Sequence, residues 1–311
     1  MNTRSPDEWA GVFPASLTMF DSAGKLDESA TAAHVERLVA DGAHGVVVAG
    51  TSGEFVVMDP AERMRVIEVA VAVVRGRVPV IAGTGHSSTA ETIRLTEQAA
   101  SLGADGAIVI LPYYLKPTLS EVVEHFRAVG RESPIPIMIY NNPGNSAAPA
   151  LDADQIRDLY EAGYASALKS TLPTVHQVHE VLAVTDARFR VFYGSFMAPL
   201  EGLAGGAHGW ISGILNVVTA NAVTMWNAMQ AGDLKGARVA WGRILPIKLL
   251  YTRQLLGPVG DLAIYRAILR LRGQTAGYCR APLRELTNDQ VGRLRTMLDS
   301  AGQVGSEGRG D

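Results

Sequence analysis

Ile135-Pro-Ile-Met-Ile-Tyr-Asn-Asn-Pro143, Ala153-Asp-Gln-Ile-Arg-Asp-Leu-Tyr-Glu161 and Tyr164-Ala-Ser-Ala-Leu-Lys169 succeed one another as an apolar run, an amphipathic stretch and a second apolar run. Short apolar runs bounded by turn residues read as buried strands, and the middle piece has helical spacing. Two parallel strands need a crossover between them, so strand, helix and strand at this spacing form one parallel unit.

The alternation continues in both directions. Strand runs fall at 11–17, 45–49, 78–82, 106–110, 135–140, 165–169, 189–193 and 209–211, with helical stretches at 28–41, 60–75, 89–102, 120–131, 153–161 and 174–184. Asp59-Pro60 places a cap and a first-turn proline before one of these helices. Eight such units predict an α/β fold of the closed (β/α)8, or TIM barrel, type. An open doubly wound sheet would want a glycine-rich dinucleotide fingerprint, and Gly83-Thr-Gly85 lacks its third glycine. After residue 221 the strands stop, and 222–231, 234–256, 261–272 and 288–300 read as helices. The expected organisation is a barrel over 11–221, a C-terminal helical region over 222–301 packed on it, and a disordered tail over 302–311.

The chain has 311 residues, 47% of them hydrophobic and 19% charged, and a formal charge of −3. That balance supplies no basic field for nucleic acid or an anionic membrane. The N-terminus lacks the apolar core of a signal peptide and no apolar run is long enough to span a bilayer. With Cys279 as the single cysteine, there is no intrachain disulfide and no cysteine metal cluster. A soluble cytoplasmic protein is expected.

Chemistry in a parallel barrel sits where the strands end. Lys169 ends the sixth run, and it is one of only five lysines among 28 Lys and Arg residues. An amine at the end of a buried strand is costly as a cation, and its neutral form is the one that attacks a ketone. The second run ends in Ala49-Gly-Thr-Ser-Gly-Glu-Phe55, whose hydroxyls and backbone N–H groups can converge on a carboxylate. The fourth ends in Leu111-Pro-Tyr-Tyr-Leu115 and the fifth in Tyr140-Asn-Asn-Pro143. A phenol near an amine can carry protons on and off a carbinolamine.

These motifs, with Ala82-Gly-Thr-Gly85, Tyr193-Gly194, Gly209-Trp-Ile-Ser-Gly213 and Arg280-Ala-Pro-Leu283, resemble the dihydrodipicolinate synthase / N-acetylneuraminate lyase family of class I aldolases. The resemblance runs from about Gly11 to about Leu286. It implies that Lys169 forms a Schiff base with pyruvate or a related 2-oxo acid, and that Tyr140 relays protons. Thr51 would hydrogen-bond that tyrosine, and Tyr114 would join the relay from a neighbouring subunit, which implies a homodimer or homotetramer. Thr51 and Ser52 would bind the pyruvate carboxylate, with Gly194 and Ile211 lining the same pocket. No metal or organic cofactor is implied. The chain departs from the family at Asn145, where dihydrodipicolinate synthases carry an arginine after the Tyr-Asn-x-Pro motif to grip the aldehyde's distal carboxylate. An uncharged amide cannot make that bidentate contact. The product of the aldol addition, or the sugar-like acid that the reverse reaction would cleave, is therefore left open. So is the choice between synthase, aldolase and dehydratase.

His176 and His179 lie three apart on a helix but have no third ligand at useful spacing, which disfavours a metal-dependent aldolase. Ser52 lacks a nucleophile elbow, and Cys279 reads as a packing residue. The rival from another class is a non-catalytic 2-oxo acid sensor on the same barrel, which would have no need of Lys169, Tyr140 and Thr51 together.

Overall fold

The computed structural model describes residues 5–303. Eight parallel strands, β1 (Gly11–Pro14), β2 (Val46–Val48), β3 (Val80–Gly83), β4 (Gly106–Ile110), β5 (Ile137–Asn141), β6 (Ala167–Ser170), β7 (Arg190–Tyr193) and β8 (Gly209–Ser212), form one sheet. Each pairs with the next in sequence from β2 onward, and β8 returns to pair with β1. The seam between β1 and β2 is drawn together at Ala15 and Val47, where Ser16 N donates to Val47 O at 2.8 Å. The result is a nearly closed (β/α)8 barrel, as the alternation predicted.

Apart from Arg190, every strand residue is buried. That is why the strands read as continuous apolar runs rather than alternating ones. Phe13 and Phe192 fill the interior with ring centroids 5.0 Å apart. Gly45 stands opposite because a Cβ there would come within 2.3 Å of the Phe13 ring.

Outside the strands lie α1 (Glu28–Ala40), α2 (Pro60–Val74), α3 (Thr89–Ser101), α4 (Leu119–Glu132), α5 (Ala153–Glu161), α6 (His176–Val184), α7 (Pro199–Ala204) and α8 (Leu215–Gln230). Capping boxes start α2 at Asp59/Glu62, α4 at Thr118/Glu121 and α5 at Asp152/Gln155. α7 was not foreseen. α8 runs across the boundary drawn at 221 and packs on β1, so we place the start of the C-terminal region after it. That region comprises α9 (Leu234–Thr252), α10 (Asp261–Leu271) and α11 (Asn288–Ser300).

Of the tail expected to be disordered, Gly302 and Gln303 are described and the rest lies outside the described residues. Gln303 is fixed: its N donates to Leu298 O at 2.8 Å and its Nε2 to Arg243 O at 2.8 Å. Gly302 and Gln303, expected to be disordered, are thus held by hydrogen bonds. Those two residues cap the last helix.

A wide depression of about 880 Å³ opens at the N-terminal ends of the strands, lined by Tyr160, Asp186 and Arg188 among others. It is an open surface feature on the face opposite the strand ends that carry the reactive side chains.

Candidate active site

The register pairs Tyr140 of β5 with Lys169 of β6, so the two side chains emerge side by side at the barrel's C-terminal end. Lys169 Nζ sits 3.8 Å from the centroid of the Tyr140 ring, and both residues are buried. Behind them Gly194 is a steric necessity. A Cβ there would lie 2.0 Å from Thr171 Oγ1 and 2.9 Å from Lys169 Cγ. The position foreseen as pocket lining thus gives the lysine stem its room.

The strand ends themselves are locked by amides. Asn141 Nδ2 donates to Leu151 O at 2.8 Å and to Gln177 Oε1 at 3.1 Å, and Leu151 N returns a bond to Asn141 Oδ1. Ser170 Oγ donates to the same Gln177 oxygen at 2.8 Å. β5 and β6 therefore end in a satisfied buried network, which limits the movement of Tyr140 and Lys169 relative to each other.

The cavity over Lys169 is lined by Gly50, Thr51, Ser52, Phe55, Arg63, Gly83, Gly85, Ile110 and Tyr140, with Ala15 just after β1, Val47 and Ala49 at the end of β2, and Ile108 of β4. Thr51 and Ser52 occupy a 3-10 turn, Thr51–Gly53, directly after β2. Thr51 Oγ1 is buried without a hydrogen bond of normal geometry, yet it lies close enough to the Tyr140 phenol to pull its pKa down. Burial raises the Tyr140 phenol. The Lys169 charge, then hydrogen-bonding contact with Asn142, Lys169 and Thr51, more than offset that and leave it below the ordinary tyrosine value.

The turn that holds Thr51 and Ser52 is itself anchored. Glu54 follows it in the left-handed region at φ 60°. Its carboxylate is buried against Arg266 of α10, with Arg266 Nη2 to Glu54 Oε1 at 2.6 Å, and accepts from Arg280 N at 2.9 Å. Arg266 also donates to Thr18 O at 2.8 Å and to Ala276 O at 2.6 Å. The C-terminal helices thus hold the loop after β2 through a buried ion pair.

Two residues of the site were not read from the sequence. Arg63 lies on the buried stripe of α2 with Val66, Ile67, Ala70 and Val74, and an arginine on an apolar stripe was a readable signal. Its guanidinium donates to Gly83 O at 2.6 Å and Gly85 O at 3.2 Å and stacks on Phe55 at 4.7 Å. Burial brings its pKa down to about 10. The second is Asn142, whose Nδ2 donates to the Tyr140 phenol oxygen at 2.9 Å.

Four expected residues are not among those lining the cavity: Gly194, which packs behind Lys169, and Tyr114, Asn145 and Ile211. Tyr114 is 90% exposed at φ 73°, so within its own chain it points to solvent. Its neighbour Tyr113 packs instead on Phe55 and His86. Asn145 is exposed in the turn Pro143–Asn145, its N donating to Asn142 O at 3.2 Å. Ile211 is buried in β8 beside Phe13.

Among the described residues no group of three His, Cys, Asp or Glu side chains is placed to hold a metal ion, and no helix is long and apolar enough to cross a membrane. Burial pushes the Cys279 thiol up to about 12, which suits packing rather than nucleophilic attack.

The model of the dihydrodipicolinate synthetase family matches residues 8–301. A 4-hydroxy-tetrahydrodipicolinate synthase of Methanoculleus marisnigri is 36% identical over 94% of this chain and 99% of its own. The crystal structure of dihydrodipicolinate synthase from Aquifex aeolicus superposes with a TM-score of 0.87 at 30% identity, covering 96% of this chain and 100% of that one. YagE, a member of the dihydrodipicolinic acid synthase family from E. coli K12 crystallised with pyruvate, gives a TM-score of 0.87 at 27% identity over 95% and 99% of the two chains.

Proposed function

This chain belongs to the dihydrodipicolinate synthetase family of class I aldolases and lyases, and from that premise we propose that Lys169 condenses with pyruvate. The neutral Lys169 amine attacks the C2 carbonyl to give a carbinolamine. Protonation of its hydroxyl through Tyr140 releases water and leaves an iminium, with the C–N bond formed and the C–O bond broken. The iminium draws electrons from C3. Loss of a C3 proton gives an enamine that adds to an aldehyde carbonyl, and hydrolysis frees the lysine. Thr51 and Ser52 hold the carboxylate, so the protein supplies position, proton transfer and charge balance.

The observation that carries this reading is the Lys169 amine 3.8 Å over the Tyr140 ring inside a buried cavity. Such a pair has no structural need to be there and is costly to bury, which disfavours a passive sensor. The Thr51 and Ser52 hydroxyls stand at the same cavity, where a carboxylate would lie. Asn145 supports an acceptor without the charged grip an arginine gives, so a polar, uncharged aldehyde fits at least as well as one bearing a second carboxylate. Tyr114 completes the relay in this proposal by entering the site of a second copy. Its ring is exposed, as are its neighbour Leu115 and Val56 after β2, apolar surface suited to a dimer and from there a tetramer. A cytoplasmic location belongs to the same reading, with a single half-buried thiol suiting a reducing compartment.

Borohydride reduction in the presence of pyruvate should add the mass of the reduced adduct to a peptide containing Lys169, and Lys169→Ala should remove it. The adduct should form equally in strong chelator. Labelling that persists in Lys169→Ala would end the assignment.

A further inference from the structure

Tyr140 must both give and take a proton if it serves the carbinolamine, and its oxygen must then be held in a fixed orientation. The hydrogen bond of normal geometry to that oxygen comes from Asn142, two residues further along the chain, at 2.9 Å. Thr51 Oγ1 makes no bond of that quality, and Tyr114 of the same chain faces solvent. Asn142 stands at the position left unspecified in the family's Tyr-Asn-x-Pro pattern.

The placement of Asn142 is imposed by its surroundings. The side chain is buried, with 6% of the residue exposed. Its backbone is pinned three times: its N donates to Tyr140 O at 3.1 Å, and its O accepts from Asn145 N at 3.2 Å and Ser146 Oγ at 3.1 Å. The residue therefore has little freedom to swing its amide away from the phenol. An NH2 group can only donate, so the phenol oxygen accepts from Asn142 and keeps its own proton free for a second partner. Two groups compete for that proton on the cavity side: the Lys169 amine, which lies over the ring, and the otherwise unpartnered Thr51 hydroxyl.

We propose that Asn142 is a positioning residue for proton transfer, holding the Tyr140 oxygen as an acceptor so that its proton is directed toward Lys169 and Thr51. This deepens the proposed function and rests on it. A donor aimed at the oxygen also stabilises the phenolate, which helps the relay to be a base in one half-reaction and an acid in the other. The groups that act on the phenol from the neighbouring elements are Lys169 of β6 as the titratable one, the Thr51 hydroxyl after β2, and the apolar Ile110 of β4. Arg63 of α2 is the further charge lining the cavity.

The test titrates the phenol directly. Ultraviolet difference titration of the full-length protein, with Tyr140→Phe as the blank, is run for wild type, Asn142→Leu and Asn142→Asp. Leucine keeps the bulk and removes the donor; aspartate keeps the shape and supplies only acceptors. The Tyr140 ionisation should rise by roughly one pH unit in Asn142→Leu and further in Asn142→Asp. The pH profile of pyruvate trapping should move the same way, its rate falling about tenfold while the KM for pyruvate changes less than about twofold. A phenol titration that does not move overturns the proposal, and so does one that moves down, which would mean that the amide accepts from the phenol. If one variant fails to fold, the other decides alone. If wild type takes no pyruvate adduct, the functional reading fails, while the titration still tells whether Asn142 acts on Tyr140.

Discussion

The two halves of the barrel mouth are built on opposite principles. On one side, the loops after β8, β1 and β2 are tied to each other and to the C-terminal helices. Asn216 bonds Leu17 N, Ala15 O, Gly213 O and His34, and Glu54 is paired with Arg266. On the other side, the loop after β4 presents Tyr114 and Leu115 to solvent at 90% and 61% exposure. The pinned half carries Thr51 and Ser52, which the proposed function places against the substrate carboxylate. The free half carries a phenol left 90% exposed. On the proposed function, one part of the machinery is assembled by folding and the other by association.

The largest effect should come from unpinning the first half. Glu54→Ala leaves Arg266 buried without its anion and should cost about 3–5 kcal/mol of stability, read by denaturant unfolding, together with loss of the pyruvate adduct. Combining it with Arg266→Met should recover part of the stability, because no unpaired charge remains; a double variant less stable than Glu54→Ala would contradict the pairing argument.

Next in size is the free half. Tyr114→Phe should lower the aldol rate by about ten- to a hundredfold while leaving the unfolding midpoint where it was. Mixing it with Lys169→Ala protein should restore activity, since mixed dimers hold one site with both groups intact. No recovery despite demonstrated subunit exchange would place Tyr114 in cis or outside the chemistry.

The third prediction uses acid against the pinned half. His34 Nε2 donates to Asn216 Oδ1 across 2.7 Å, and burial, with Arg37 nearby, holds its pKa down at about 3. In the unfolded chain it titrates near 6.5. Above that pH both states are neutral and the full stability is present. Between the two values only the unfolded chain takes up the proton, so stability falls as the pH drops, by up to about 1.4 kcal/mol per unit from this group. His125, brought down to about 4 by burial, adds to the slope. His34→Gln should flatten the loss between about pH 6.5 and about pH 4; an unchanged slope would remove His34 from the account. As the smallest effect, Arg65→Ala breaks exposed pairs with Glu28 and Glu68, none of which lines the cavity, and should leave both stability and activity unaltered.

Most of the barrel was legible because strands buried on both faces must be apolar throughout, and capped helices announce their starts, as at Asp59. α8 was read seven residues late. Its first turn, Leu215-Asn-Val-Val-Thr219, is rich in β-branched residues and passes through a non-helical Val218 (φ −134°), so local preference gave no helix signal there. Lys169 and Tyr140 were legible as residues ending strand runs. Arg63 interrupts the buried stripe of α2, but its carbonyl partners at Gly83 and Gly85 lie at another strand end, which local pattern does not show. Asn142 was visible as a polar residue, but which group its amide faces is set by the turn that follows, and spacing does not reveal that. The partner of Glu54 lies 212 residues downstream, a distance at which sequence pattern carries no pairing information.

That separation has a bearing on the order of events as the protein is made. All eight strands have been synthesised by Ser212, yet the carboxylate of Glu54 has no counter-ion until Arg266 has left the ribosome. A nascent chain can therefore close its barrel before the turn bearing Thr51 and Ser52 is locked, and reactivity is among the last properties it acquires. A stalled chain ending before α10 should present its strands to hydrogen-exchange protection and still take no pyruvate adduct; an adduct at Lys169 in such a chain would show that the turn sets without its distant clamp.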